Sequence, residues 1–297
     1  MFLDQNTSTP LNMKNRLKSL LIRSLTATLG NFLVFIQPKK ARELAKNRIT
    51  LVHKNKKHMS IAERLMRAAL VRKLEKIDDY NTIAESNRDF WINNATELFE
   101  ETEDGFETNF LPKSTFIFDL LKNEIADQTE SFDTLVEIGT GNGNTLNYLS
   151  SAFPALKRLI GIDLSPDQIE INKRKFKGNN RLEFVAEDAM EWVKEHGHGN
   201  TIFFSNESLE YFLETQLQGF LNEVNQLGKI IFITIEPNGH YHDLSTTPHS
   251  QLYGNEPSFS HNYPLLFKNA GFKLWHFSQK PWIGGFDMQT FVGAKNF

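Results

Sequence analysis

A glycine-rich run and three acidic residues form the part of this sequence best suited to bind a ligand. Residues 139–143 read Gly-Thr-Gly-Asn-Gly, Glu137 lies two residues before them, and Asp163 and Asp188 follow after further intervals of 26 and 25 residues. Glycine permits positive φ angles and close approach to the backbone, and free amides at a helix start attract polar or anionic groups. Carboxylates accept hydrogen bonds from hydroxyls and amines. The pattern therefore predicts a binding site for a polar ligand.

The acidic residues also have a purely structural interpretation. Asp163 precedes Leu-Ser-Pro, and Asp188 precedes another helical stretch, so either carboxylate could cap a helix by accepting a free amide. A lone Gly-x-Gly run is often only a tight connection. The glycine run and all three acidic residues occur together in one pattern, which favours a ligand site over a set of separate structural roles.

The elements that must position these residues are strands alternating with helices after residue 113. A parallel α/β sheet with right-handed crossovers has this alternation, and the carboxyl ends of its strands bind ligands. Two final runs are joined by Gly284-Gly285 without a helix, which predicts a hairpin with one antiparallel strand. The predicted strands are residues 134–138, 158–162, 182–186, 201–205, 229–235, 272–277 and 288–294.

Composition and charge narrow the class of protein. The 297 residues are 40% hydrophobic and 23% charged, which predicts a folded core, and the absence of Cys excludes disulfides, thiolate metal sites and a cysteine nucleophile. The net charge of −3 gives no overall attraction to nucleic acid. Residues 1–60 carry +10, 75–108 carry −9 and 109–297 carry −7. We therefore expect a separate N-terminal region, residues 1–110, before a domain at 111–297.

The start of the N-terminal region predicts a basic amphipathic helix that Pro38 ends. Its apolar residues recur at steps of three and four, and they are Leu17, Leu21, Leu25, Leu29, Phe32 and Ile36. We expect this face to dock on the protein's own core or on a second subunit, giving a homodimer. Contact of residues 13–36 with a membrane surface and an organelle transit peptide are less favoured. No convincing secretory signal or membrane span is present, so we expect a cytoplasmic protein.

Two further helices are predicted in this region. Ser60 and Glu63 have the spacing of a capping box, and a second helix covers residues 82–101. Tyr80, Phe90 and Trp91 are candidates for a lid over the ligand site, although plain core packing is the more common role of such residues. The acidic stretch at 100–107 predicts an exposed linker.

The motifs resemble those of the class I S-adenosylmethionine-dependent methyltransferase family. The resemblance rests on Val-Glu-Ile-Gly-Thr-Gly-Asn-Gly at 136–143, Gly-Ile-Asp-Leu-Ser at 161–165 and Ala-Glu-Asp-Ala-Met at 186–190. It covers about residues 113–297 in element order, and the terminal hairpin matches the family's reversed seventh strand. It implies a Rossmann-like α/β fold with a seven-stranded, mostly parallel sheet, and S-adenosylmethionine as cofactor. A nicotinamide-binding Rossmann domain is the main rival. It prefers Gly-x-Gly-x-x-Gly, and Asp188 and the terminal hairpin favour the methyltransferase resemblance over it.

The resemblance also implies which residues contact the cofactor. The glycine loop would pass under its methionine and ribose parts, Glu137 would accept from the ammonium group, and Asp163 would accept both ribose hydroxyls. Leu164 would pack on the adenine face and Asp188 would accept from the adenine amine. The implied cofactor-binding residues are Glu137, Gly139, Thr140, Gly141, Gly143, Asp163, Leu164, Asp188, Ala189, Ser205 and Asn206.

The methyl acceptor should lie after the fourth and fifth strands. The long segment 236–264 holds four of the nine His residues, and a long loop there is typical of a functional insertion. His240 or His242 could deprotonate an acceptor hydroxyl or amine, and Glu207 is the third catalytic candidate. Loop or structural histidines are the alternative. The His-x-His-Asp run is weak evidence for a metal, and Asn206-Glu207 as Mg²⁺ ligands is no stronger, so we predict none.

The function expected from the sequence is methylation of an oxygen or nitrogen on a small molecule. Methylation of a peptide or protein side chain is the alternative within the same class. A non-catalytic protein that binds the cofactor is the alternative from another class, and a nicotinamide-dependent dehydrogenase is the least favoured. Nucleic acid is not an expected partner, because residues 109–297 are net negative.

Overall fold

The computed structural model describes residues 24–47, 60–77, 79–101, 105–126, 132–253, 258–281 and 287–297. The chain divides into two compact units, Met1–Ser86 and Asn87–Phe297. No helix within the described ranges combines the length and the apolar character needed to cross a bilayer.

The described part of the first unit is helical. It contains a π-helical turn, three complete helices and the start of a fourth, which are Thr26–Gly30, α1 (Asn31–Ile36), α2 (Pro38–Asn47), α3 (Ile61–Lys76) and α4 (Tyr80–Glu101). The predicted capping box begins α3, because Glu63 N donates to Ser60 Oγ at 3.2 Å and Ser60 N donates to Glu63 Oε2 at 2.8 Å. A Cβ on Gly30 would lie 2.6 Å from the Leu65 carbonyl oxygen, so glycine permits this close helix contact.

The structure corrects the predicted apolar face of the first helix. Residues 17–23 lie outside the described residues, and the remaining members are exposed by 40 to 58%: Leu25, Leu29, Phe32 and Ile36. Thr26, Gly30 and Val34 are buried instead. Nor does Pro38 end the helical region: Gln37 interrupts it and Pro38 begins α2, since its fixed φ suits a first helical turn.

The second unit contains a sheet of seven strands within the described residues. Their order is β3-β2-β1-β4-β5-β9-β8. The first five are parallel, and β9 runs antiparallel to both β5 and β8, which confirms the predicted hairpin strands. The strands are β1 (Thr134–Ile138), β2 (Arg158–Asp163), β3 (Leu182–Ala186), β4 (Thr201–Asn206), β5 (Ile230–Gly239), β8 (Lys273–Pro281) and β9 (Asp287–Lys295).

Helices cover both faces of the sheet, with one buried apolar cluster on each face. This arrangement follows from strands that are buried on both sides, as in β1 and β4. The helices are α5 (Leu111–Ala126), α6 (Asn144–Ala152), α7 (Pro166–Lys175), α8 (Ala189–His196), α9 (Glu214–Gln226) and α10 (Tyr263–Asn269). The fold is the expected Rossmann-like α/β fold.

Two segments differ from their predicted structure. Strand β5 extends to Gly239, because Pro237 and its neighbours still pair with β9, and the following segment contains a small hairpin of β6 (Gln251–Tyr253) and β7 (Ser258–Ser260). The predicted linker is partly helical, since α4 continues through Glu101 and a π-helical turn spans Phe106–Phe110.

Candidate functional site

The glycine loop follows β1 and has the backbone geometry that requires glycine. Gly139, Gly141 and Gly143 have φ angles of +69°, +50° and +74°, a region that L side chains rarely adopt. The amides of Gly139 and Thr140 both donate to the Ile162 carbonyl at 2.9 Å, which ties the loop to β2. The side-chain amide of Asn172 donates to the Gly141 carbonyl at 2.7 Å. The loop is therefore a fixed cradle at the carboxyl ends of β1 and β2.

Glu137 is buried beneath this loop. Its Oε2 accepts a hydrogen bond from the Thr140 hydroxyl at 2.7 Å, and the side chain is 2% exposed. Burial raises the pKa of this carboxyl to about 8, and the nearby Asp163 carboxylate adds to the rise. An incoming ammonium group would favour the ionised form, so the predicted contact with the cofactor's ammonium group is chemically consistent with this position.

The raised pKa of Glu137 predicts a loss of stability with rising pH. The folded protein holds a proton on this carboxyl between its ordinary value of 4.5 and about 8, whereas the unfolded chain releases it, so the free energy of unfolding falls as pH rises through that window. In urea unfolding, Glu137→Gln should reduce the fall between about pH 5 and pH 8 by about 1 to 3 kcal/mol. Glu170→Gln, an exposed substitution, is the control; equal pH dependence in Glu137→Gln and the unmodified protein would contradict the assignment.

Asp163 stands at the end of β2 and binds the loop and the next helix. Its Oδ2 accepts the Gly141 amide at 2.9 Å and its Oδ1 accepts the Ser165 amide at 3.0 Å. Ser165, rather than Asp163, is the N-cap of α7. Each carboxylate oxygen has a second lone pair, so Asp163 retains the capacity to accept the two ribose hydroxyls that the resemblance implies.

Asp188 does cap a helix, as the structural interpretation proposed. Its Oδ1 accepts the Met190 amide at 2.9 Å at the start of α8, and its Oδ2 accepts a hydrogen bond from Arg88 of α4. The predicted contact with the adenine amine stays a prediction, and it would add to or replace the Arg88 contact. Leu164, which is half-buried, and Ala189, which is buried, lie beside the ends of β2 and β3.

Aromatic side chains of α4 lie over the ends of β1 and β4. The ring centroids of Trp91 and Tyr211 are 5.2 Å apart, and Trp91 stacks on Phe99 at 5.8 Å. A Cβ on Gly141 would lie 2.9 Å from Phe99 Cε1. Phe90 is buried and contacts Trp91 edge-on, while Tyr80 belongs to the first unit. The arrangement is that of a cover over the glycine loop, and Phe99 is a member that the sequence did not single out.

The end of β4 is organised by a carboxylate of β5. Glu236 is fully buried, and its Oε1 accepts the Ser205 hydroxyl at 2.6 Å and the Thr234 hydroxyl at 2.9 Å. Its Oε2 accepts the Ser208 amide at 3.0 Å. Burial raises the pKa of this carboxyl to about 7. Glu236 therefore fixes the turn after β4, a role that the sequence did not reveal because Ser205 and Ser208 belong to another strand and the turn that follows it.

The two residues that follow Ser205 each have a feature that is uncommon in folded proteins. Asn206 Oδ1 is buried and has no hydrogen-bond partner in the described structure, and Glu207 has a φ of +52°. Non-glycine residues at positive φ are uncommon and concentrate at functional sites. The Glu207 amide donates to the Ile235 carbonyl at 3.0 Å, which holds this conformation. Both residues lie at the strand-end position predicted for the acceptor side.

The two candidate histidines occupy different environments. His242 is buried, its Nε2 donates to the Thr247 carbonyl at 3.2 Å, and its Nδ1 accepts from the Ser260 hydroxyl at 2.8 Å. Both ring nitrogens are thus used within the loop, which favours a structural role for His242. His240 is exposed, and its backbone amide bonds the Asp287 carboxyl. The catalytic role of both residues stays a prediction.

A second buried group lies beside the turn after β4. The Tyr253 hydroxyl of β6 donates to Glu210 Oε2 at 2.5 Å, and Glu210 is 6% exposed. The Tyr263 hydroxyl at the start of α10 is fully buried and has no hydrogen-bond partner. The sequence places these residues in the acceptor segments but gives no signal that they meet.

Comparisons with known proteins agree with this geometry. Residues 135–229 match the family model of a methyltransferase domain. A protein from Galdieria sulphuraria named as a sarcosine dimethylglycine methyltransferase is similar, with 10% identity, a TM-score of 0.50, and coverage of 64% of this chain and 87% of that chain. Magnesium protoporphyrin IX methyltransferase from Synechocystis PCC 6803, with bound S-adenosylhomocysteine, has 12% identity, a TM-score of 0.48, and coverage of 71% and 98%. No curated protein sequence matches this chain.

The fold and the loop at the strand ends define a Rossmann-like methyltransferase domain. Residues 135–229 therefore carry a methyltransferase domain, and S-adenosylmethionine is the cofactor that the motif resemblance implies. Two observations show that the described residues fit this cofactor. The glycine cradle presents backbone where a side chain would obstruct the loop, and the buried Asn206 Oδ1 lacks a partner within the protein.

Proposed function

We propose that the enzyme methylates an oxygen or nitrogen atom of a small molecule. The observation that carries this proposal is the burial of the groups around the turn after β4: Glu210 of that turn and Tyr263 of α10 are nearly or fully buried, and Trp91 packs on Tyr211. A protein substrate needs an exposed surface on which to dock, whereas a small molecule can be enclosed. Enclosure also excludes water from the methyl transfer.

The chain's own residues have separable tasks in this reaction. The bound cofactor supplies an electrophilic methyl group. Glu137 and Asp163 would bind its ammonium and ribose groups, and the glycine loop would position it. Glu236 holds the turn after β4 in place, so that Asn206 and the neighbouring groups stay oriented. The cover formed by Trp91 and Phe99 would keep water out.

A labelled-methyl transfer assay tests the proposal. The full chain is incubated with S-adenosylmethionine carrying a tritiated methyl group and a cell extract, and the extract is separated by ultrafiltration into small molecules and macromolecules. We expect the label in the small-molecule fraction, and a loss of at least about tenfold with Asp163→Ala. Asp167→Ala, an exposed substitution four residues along the chain, should leave the labelling unchanged.

The other outcomes identify the alternatives. Label that precipitates with protein would replace the proposal with side-chain methylation of a peptide or protein. Binding of S-adenosylhomocysteine in calorimetry without any labelled product would support a non-catalytic cofactor-binding protein. Each outcome contradicts the small-molecule proposal in a different way.

The first unit supports a second, separate hypothesis about partners. The exposed residues Leu25, Leu29, Phe32, Phe35 and Ile36 present an apolar surface, with Phe35 exposed by 82%. Exposed apolar surfaces of this kind are typical of contacts with other molecules. We propose a homodimer through these helices. The molar mass from light scattering tests the dimer, and liposome flotation tests the less favoured membrane contact.

A further inference from the structure

Glu210 lies in the turn after β4, among groups that carry negative charge or hydroxyls. The Tyr253 hydroxyl and the Ser258 hydroxyl both donate to its carboxylate, and Glu236 and Glu207 lie close enough to repel it. Among these described groups there is no cation. A buried carboxylate without a cation is costly, so Glu210 would ionise here only when a bound group supplies positive charge.

The neighbouring histidine does not supply that charge. His261 is fully buried, and its Nδ1 is 2.6 Å from the Ser250 hydroxyl. Burial lowers the pKa of His261 to about 4, so its ring is neutral at physiological pH. Burial also raises the pKa of the Glu210 carboxyl well above its usual range. The positive charge that would favour ionised Glu210 must come from elsewhere.

An unused hydroxyl stands beside the same carboxylates. Tyr263 is fully buried, its hydroxyl has no hydrogen-bond partner, and Glu210 and Glu236 both act on it electrostatically. Buried hydroxyls are nearly always hydrogen-bonded in folded proteins. The Tyr263 hydroxyl is therefore available for a hydrogen bond with a ligand group.

We infer that Glu210, with Tyr263, binds a protonated amine, and that the methyl acceptor of this enzyme is therefore an amine; the inference rests on the proposed methyltransferase function. An ammonium group brings the missing positive charge and several N–H donors, one for the Glu210 carboxylate and one for the Tyr263 oxygen. An alcohol has a single donor and no charge. A carboxylate acceptor would be repelled.

The chemistry of the transfer agrees with this assignment. Glu210 accepts one proton from the ammonium group, which leaves the nitrogen with a free electron pair. That pair forms the bond to the methyl carbon, and the electron pair of the broken carbon–sulfur bond stays on sulfur. The products are a protonated methylamine, S-adenosylhomocysteine and protonated Glu210, so atoms and charge balance.

Calorimetry with two cofactor analogues tests the inference without knowledge of the acceptor. Sinefungin carries an amine at the place of the transferred methyl group, whereas S-adenosylhomocysteine carries none. The full chain should bind sinefungin at least about tenfold more tightly than S-adenosylhomocysteine. Glu210→Gln should reduce this ratio by at least about fivefold while it changes S-adenosylhomocysteine affinity by less than about twofold.

Controls separate the possible failures. Glu191→Gln, an exposed carboxylate bonded to Lys194 at 2.9 Å, should keep the ratio of the unmodified protein. If Glu210→Gln does not fold, Tyr263→Phe replaces it and should lower the ratio by about threefold. An unchanged ratio in the folded variant overturns the amine site alone. Failure of the unmodified protein to bind either analogue overturns the methyltransferase proposal itself.

Discussion

Asp163→Ala is expected to weaken S-adenosylhomocysteine binding by about 30- to 150-fold, which corresponds to about 2 to 3 kcal/mol. The physical reason is the loss of a charged acceptor for two ribose hydroxyls. The same substitution removes the hydrogen bonds from the Gly141 and Ser165 amides, so the glycine loop also loses a tie to β2. Calorimetric titration of the purified full chain measures the effect.

Two variants separate the direct contact from the support of the loop. Asp163→Asn keeps an oxygen for the Gly141 amide but removes the charge, and we expect it to lose about half of the binding free energy that Asp163→Ala loses. Asp167→Ala lies in the first turn of α7 and is exposed, so it should bind normally. If a folded Asp163→Ala protein bound S-adenosylhomocysteine with unchanged affinity, the Asp163 carboxylate would only accept hydrogen bonds from backbone amides and would not contact the ligand.

The strands of the sheet could be predicted because each is a short apolar run bounded by a turn. Strands β1 and β3 begin and end as expected, since Thr134–Ile138 and Leu182–Ala186 are local patterns. Strand β5 is longer than expected because β9 continues to pair with it past Pro237. Pairing of this kind depends on a partner far along the chain, which a local pattern does not contain.

The exposed apolar face of the first unit shows a second reason why a prediction from the sequence can be wrong. The prediction assumed regular α-helical spacing, but Thr26–Gly30 is a π-helical turn, in which successive side chains are spaced differently around the axis. The structure also buries small residues rather than large ones, because Gly30 allows the backbone of α3 to approach. Close packing of the two backbones, rather than the pattern of large apolar residues, thus determined which face of this helical segment is buried.

In the candidate site, the spacing of the sequence motifs identified the acidic residues but not the residues with which they form hydrogen bonds. The acidic residues were visible because Glu137 lies in a predicted strand and Asp163 and Asp188 each follow one. The contacts of Asp188 with Arg88 and of Glu210 with Tyr253 join residues separated by 100 and 43 positions. Such contacts depend on how α4 and the β6–β7 hairpin cross the strand ends, which no local pattern specifies.

Gly139→Ala is expected to be the most damaging single substitution in the glycine loop. Its φ of +69° is unfavourable for alanine, and the new Cβ would lie 1.9 Å from Ser208 Oγ. The turn after β4 would have to move, although Glu236 holds it through the Ser208 amide. We expect a loss of about 2 to 4 kcal/mol in the free energy of unfolding and a loss of at least about tenfold in S-adenosylhomocysteine affinity.

A double variant divides this effect into its two causes. Adding Ser208→Gly removes the clash with Ser208 Oγ but leaves the positive φ, so it should recover only part of the stability, with about 1 kcal/mol still lost to backbone strain. Gly178→Ala is the control, because an added Cβ there has no neighbour within 4 Å. Urea unfolding and calorimetry measure both quantities. Full recovery of stability in the double variant would show that glycine is required only to avoid the clash with Ser208. No recovery would show that glycine is required only for its positive φ.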